Sequence, residues 1–343
     1  MAIIVPQVPL AVSPWRPLLV DGGGACKAAC KYCPDPTVQG RPLAEADLGE
    51  WAVGTRGVQG INIIARPYPE VAADLYCLVQ KLVVNNPALV IVTLGPGAPI
   101  DTWGLQHLKE AGATGVCFSL VAVTRSLDAS TRPGRGGRQW WDTCWELVDT
   151  AISLWGPGKV GLTLGLGLGE TEQQVMATIQ QVRDRGAVSY IYPLMTTAEI
   201  KVSTGKLYRV LLARHLITTG QATSNQMQYD DFGQVIHFGV PRDRFYEIMQ
   251  EAKPFSLDNL WLDCCSMGWQ AELAAGLFPA QPGAEMVPEL IRRVCSVDWR
   301  EAWLTRTRVF ELEGVDFDED EIEAENGSIY KMIAELGRAG RSN

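Results

Sequence analysis

Between residues 18 and 200 the chain alternates short apolar runs with amphipathic ones, and this alternation most narrows its possible folds. The apolar runs are Leu18–Asp21, Ile61–Ala65, Ala88–Leu94, Gly115–Val123, Val160–Leu168 and Val188–Leu194. They are near-continuous rather than alternating, as in strands buried on both faces. Helical spacing fills the intervals. Glu70–Val84 puts Val71, Leu75, Leu78 and Leu82 on one side, and Asp101–Ala111 opens on an Asp cap. Trp140–Trp155 is helical, and Thr171–Arg185 begins with a capping sequence. Such repeats imply an α/β fold with a helix-covered parallel sheet. Six units within residues 18–200 predict a partial (β/α)6 TIM-like barrel, because a full eight-stranded barrel takes roughly 250 residues. Periodicity alone also allows an open doubly wound sheet. In both folds the loops at the carboxyl ends of the strands build the active site.

The flanks differ. Residues 1–17 form an N-terminal extension whose prolines at 6, 9, 14 and 17 forbid a membrane-spanning helix. Residues 201–343 form a C-terminal α+β extension that closes the barrel. It reads as a helix over Lys206–Thr219, a hairpin over Gln226–Val240 turning near Asp230–Gly233, and a helix over Arg242–Ala252. Further helices are expected at Pro288–Cys295 and Asp298–Arg308, and the acidic segment 311–325 reads as a solvated surface.

Composition excludes several classes of function. At 343 residues and 47% hydrophobic the chain can bury a sizeable core. A net charge of −9 argues against nucleic-acid binding, which needs a basic surface. There is no apolar run of about 20 residues to insert in a membrane. Nine cysteines without a secretory signal point to a reducing, cytoplasmic compartment. Eleven tryptophans suit a large core, with some available to line an apolar substrate cavity.

Cys26, Cys30 and Cys33 stand just after the first strand, in the run Cys-Lys-Ala-Ala-Cys-Lys-Tyr-Cys. Three thiolates can hold three irons of a [4Fe–4S] cube, which ordinarily takes four cysteines. The next cysteine is Cys77, so one iron stays open to a substrate or cofactor. A zinc site would need a fourth ligand, and His107, His215 and His237 are all distant in sequence. A disulfide framework or three core thiols between lysines are the remaining readings. A second motif ends the fifth strand: Gly165, Gly167 and Gly169, followed by Glu170 and Glu172. Glycines there let a ligand approach the backbone, and Glu170 is placed to hold a strand-end amide. Such a turn also serves phosphate binding, or simply opens a helix with favourable acidic residues.

The cysteine spacing, with the aromatic Tyr32 before the last cysteine, resembles the radical S-adenosylmethionine (SAM) superfamily, and the glycine run resembles its fifth-strand motif. Arg132-Pro-Gly134, the stretch 161–172 and Arg185-Gly-Ala187 are similar to the lipoyl synthase and biotin synthase branch. Asn85-Asn-Pro87 and Arg41-Pro-Leu43 are similar too. The stretch 232–239, Lys253-Pro-Phe255 and a later cysteine pair resemble short relatives of archaeal-type lipoyl synthases. The resemblance implies a [4Fe–4S] cluster on the three cysteines and SAM on its open iron. One-electron cleavage would then give a 5′-deoxyadenosyl radical that takes hydrogen from an unactivated C–H bond. It assigns SAM contacts to Tyr32, Ser119, Arg125 (for the carboxylate), Gly165, Gly167 and Gly169. Cys264, Cys265 and Cys295 would hold an auxiliary cluster, the sulfide source of a sulfur-inserting enzyme. It also implies a small-molecule or carrier-bound substrate and a reducing donor such as ferredoxin or flavodoxin. The chain departs from the pattern at Ala65-Arg66-Pro-Tyr-Pro-Glu70, where Gly-Gly-Glu is usual, at Val121, which replaces a Glu, and at the adjacent Cys264–Cys265. These departures keep open radical oxidation, rearrangement or methyl-group modification of a cofactor precursor such as a tetrapyrrole. A non-catalytic Fe–S or zinc protein is the reading of a different class. Cys77, Cys117 and Cys144 are expected in the core.

Overall fold

The computed structural model describes residues 1–6, 15–22, 30, 40–54, 60–85, 89–132, 140–194, 202–251 and 253–255. Cys26, Tyr32, Cys33, Cys264, Cys265, Cys295, the helices expected at 288–308 and the acidic segment lie outside the described residues. The elements run β1 (Ala2–Pro6), β2 (Trp15–Asp21), β3 (Gly40–Pro42), α1 (Leu48–Gly54), β4 (Gly60–Ala65), α2 (Val71–Asn85), β5 (Leu89–Leu94), α3 (Thr102–Glu110) and β6 (Gly115–Val121). They continue α4 (Arg125–Thr131), α5 (Trp140–Trp155), β7 (Val160–Leu166), α6 (Glu172–Asp184), β8 (Val188–Pro193), α7 (Thr204–Thr218), β9 (Gln228–Tyr229), β10 (Val235–His237) and α8 (Arg242–Glu251).

One sheet has the order β3-β1-β2-β4-β5-β6-β7-β8. From β2 to β8 the six strands are parallel and neighbours in space follow chain order. Without a reversal of order there is no switch point, which removes the doubly wound alternative. Crossovers of one hand then put every connecting helix on the same face. The result is a partial (β/α)6 barrel with an α+β extension. Among the described residues the edge strands β3 and β8 do not pair, so the barrel is open.

The two faces of the sheet separate by residue phase. Leu18, Val20, Ile61, Ile63, Val90, Val92, Phe118, Leu162 and Leu164 share a core with helix residues such as Leu75, Leu105, Val148 and Ile179. Leu19, Ile64 and Cys117, of the opposite phase, are buried outside that cluster. They share the inner face with Asn62, Thr93, Ser119 and Thr163, and the Thr93 hydroxyl donates to Asn62 Oδ1 at 2.7 Å. Cys117 and Cys144 are buried as expected. Cys77 is exposed, because it falls off the Val71, Leu75, Leu78 stripe of α2.

Within the stretch read as an extension, β1 pairs antiparallel with β2 and with β3. Its ladder reaches only Leu19, so Pro17, which has no N–H, lies beyond it. The alternation also continues past residue 200, since α7 packs on α6 and β8. Among the described residues no helix is long and apolar enough to cross a membrane.

Candidate active site

The carboxyl ends of the six parallel strands converge on one rim, and the sequence-assigned residues fall on it unequally. β2 ends at Asp21, directly before the cysteine-bearing segment. Of the three cysteines, Cys30 is described: it is half-buried and packs against the core cluster. Asp21 is held by Arg66, which follows β4, with Oδ2 and Nη1 2.7 Å apart and side chains only 14% and 6% exposed. Arg66 also donates its backbone N–H to the Val20 carbonyl at 3.1 Å. Next to this pair, the Tyr68 ring occupies the space over Gly22, where an added Cβ would come within 2.6 Å of Cγ. The Tyr68 hydroxyl donates to Asp74 at 2.7 Å. Burial, followed by that hydrogen bond, pushes the phenol pKa upward. The stretch 65–70 that departs from the familiar pattern therefore supplies a charged tie between two strand ends.

The end of β6 is strained. Val121 has φ 63°, in the left-handed region that β-branched residues avoid, and the register to β7 shifts between Ser119 and Val121. Fully buried Arg132 holds this kink by donating to the carbonyls of Ser119 (3.3 Å) and Leu120 (2.9 Å). Trp140 Nε1 donates to Ser119 O at 2.9 Å, which gives one tryptophan a fixing role rather than a place in a cavity wall. Arg132 also pairs with Asp128. Burial raises the Asp128 carboxyl to about 6, against the pull of Arg132, and its Oδ2 has no hydrogen-bond partner. Ser119 itself is buried on the inner face. Arg125 begins α4 with its side chain 70% exposed and ion-paired to Asp142.

The three glycines at the end of β7 play different parts, Gly165 within the strand and Gly167 and Gly169 beyond it. A Cβ on Gly165 would lie 2.9 Å from Val121 Cγ1 and 3.0 Å from Leu194 Cδ1, so its missing side chain makes room for the protein's own packing. Gly167 and Gly169 have φ of 108° and 105°, which glycine alone adopts readily. Glu170, 1% exposed, accepts from Gly167 N and Leu168 N, each at 2.8 Å. Lys206 of α7 sits 2.8 Å from Glu170 Oε1 and donates to the Glu170 carbonyl at 2.9 Å. One turn further along α7, Arg209 grips both oxygens of Glu172 at 2.7–3.1 Å and also reaches Gln234. Burial raises the Glu172 carboxyl, while Arg209 and the Val235 N–H, 2.9 Å away, pull it back.

This arrangement limits what the turn can bind. Phosphate-binding turns present unsatisfied N–H groups to an anion. Here two of those groups already bond the Glu170 carboxylate, so neither is free for an anion. Sequence reasoning placed Glu170 on a strand-end amide, and it bonds two. It missed Arg66, Lys206 and Arg209. The last two were detectable as cations three apart near the start of a mostly apolar helix, answering acids two apart at the start of α6. Nothing in the sequence pairs Asp21 with Arg66.

No protein-family model matches the chain, and no curated protein matches its sequence. In three dimensions it resembles the FeFe-hydrogenase maturase HydG from Carboxydothermus hydrogenoformans, with TM-score 0.50 and 16% identity over 60% of this chain and 51% of that one. It also resembles methylornithine synthase PylB, with TM-score 0.47 and 13% identity over 58% of this chain and 62% of that one. The match to coproporphyrinogen III oxidase HemN from Escherichia coli, described as a radical SAM enzyme, has TM-score 0.38 and 15% identity over 55% and 49%. The chain thus spans about half the length of that HydG and less than two thirds of PylB. At these identities the likeness is one of fold, and it rests on HydG.

Proposed function

We propose that this chain is a radical SAM enzyme. The carrying observation is the Cys26, Cys30, Cys33 spacing placed directly after the first parallel strand of an open (β/α)6 barrel. The donor set fits the cluster, since three thiolates suit a cube with one open iron. The residues described also fit SAM: Gly167 and Gly169 offer bare backbone at positive φ, and Glu170 holds that turn through two amides. When bound, the cluster and SAM supply the electron and the carbon radical that takes hydrogen from an unactivated C–H bond. The chain's own part is to hold Cys30 against the core, bind the adenine side at the 167–169 turn, and place the Asp21–Arg66 charges on the same rim. Tyr32, Ser119 and Arg125 remain assigned to SAM by resemblance. The reductant is a ferredoxin or flavodoxin, and the substrate a small or carrier-bound molecule in the cytoplasm.

Within that class we assign sulfur insertion, supported by the similarity of 132–187 to the lipoyl branch. It requires an auxiliary cluster or sulfide source at Cys264 and Cys265, with Cys295. The adjacency of Cys264 and Cys265 favours the second reading, radical oxidation, rearrangement or methyl-group modification of a cofactor precursor.

Anaerobic reconstitution, reduction and chromatography for 5′-deoxyadenosine test the enzyme class. Wild type is expected to release it, and Cys30→Ala to lose both the product and the share of visible absorption due to the Cys26–Cys30–Cys33 cluster. Full turnover in Cys30→Ala refutes the assignment.

A further inference from the structure

The turn after β7, with Gly167 and Gly169 both at positive φ, has little stiffness of its own, because glycine has the widest conformational freedom. Its shape comes from Glu170, which bridges the Gly167 and Leu168 amides. A carboxylate at 1% exposure is costly to bury unless a cation compensates it. Lys206 supplies that charge at 2.8 Å while itself only 6% exposed. Its place is set by the start of α7, where the Ser203 hydroxyl accepts from Lys206 N at 3.1 Å. The Arg209–Glu172 pair then locks α7 to α6 one turn further on.

We propose that Lys206 is a positioning residue: acting through Glu170, it fixes the 167–169 turn in the shape that receives the uncharged adenosine end of the ligand. The role rests on the SAM reading only for the ligand's identity. Lys206 touches no ligand atom in this scheme, and its effect passes through two backbone amides.

Hydrogen–deuterium exchange and calorimetric titration with 5′-deoxyadenosine and SAM, on the anaerobically reconstituted protein, test this. In Lys206→Met the Gly167 and Leu168 amides should exchange about tenfold or more faster, the loss expected for hydrogen bonds to a charged group. The amides of α6 and α7 should keep their rates. The Kd for 5′-deoxyadenosine should rise about tenfold or more, and Lys206→Arg should restore both. Glu170→Gln keeps side-chain volume and one acceptor, and should show the same selective change if Lys206→Met does not fold. Unchanged exchange at 167–168, equal acceleration throughout α6 and α7, or loosened amides with unaltered affinity each overturn the proposal. If the wild type binds neither compound, the SAM reading fails, while the exchange rates still decide whether Lys206 governs the turn.

Discussion

Asp128 couples stability to pH. Its carboxyl stands at about 6 in the fold against an ordinary 3.8, through burial partly offset by Arg132. Between those values the folded chain holds a proton that the unfolded chain has lost. Its favourable contribution is therefore complete below about pH 4 and is lost as pH rises through about 6. Asp128→Asn should flatten this slope in denaturation midpoints measured from pH 4 to 7, whatever it does to the absolute midpoint. A wild-type slope retained in the variant would show that another group titrates. Gly165 makes a different prediction. A methyl there meets Val121 Cγ1 at 2.9 Å, so Gly165→Ala should lower stability by about 1–3 kcal/mol in urea unfolding without any ligand present. Equal stability would leave the glycine to ligand approach alone. From sequence, Gly165, Gly167 and Gly169 look equivalent, because a one-dimensional motif does not show which neighbour occupies each missing side chain.

Among elements, α7 and the β9–β10 hairpin are joined to the barrel by buried charge as well as by apolar packing. Arg209 links Glu172 to Gln234, the Gln173 N–H donates to Gly233 O at 2.8 Å, and Val235 N bonds Glu172. Removing one partner leaves a buried carboxylate without its cation, so Arg209→Met should cost about 3–5 kcal/mol in chemical denaturation. A loss under 1 kcal/mol would mean that the pair is dispensable. The six parallel strands, α5 and the capped starts of α3 and α6 were legible because period, length and cap residues agree. Asp101 accepts from Gly104 N, and Thr171 forms a reciprocal box with Gln174. The antiparallel strand β1 was not legible. Its residues are apolar, but the signal that makes them a strand is the edge of β2, which a local pattern does not contain. The left-handed Val121 was equally hidden, since valine alone argues for a regular strand end.

At the scale of the whole molecule, sequence order fixes spatial order, and six strands laid down in succession carry the rim residues to one end of an open barrel. That architecture was readable from the count and length of the apolar runs. The rim's charged ties were not, because Asp21 and Arg66 are 45 residues apart and Lys206 and Glu170 are 36 apart. Metal analysis separates the two proposed reactions. Sulfur insertion predicts iron and sulfide approaching twice the content of one cube, the excess being lost in Cys264→Ser and Cys265→Ser. A single cube and a sulfur-free product would select oxidation or rearrangement. The kink of β6 also has an evolutionary consequence. Val121 and Leu194 together occupy the volume that a side chain at position 165 would need, so the three sites cannot drift independently. A larger residue at 165 is accommodated best where both neighbours become smaller.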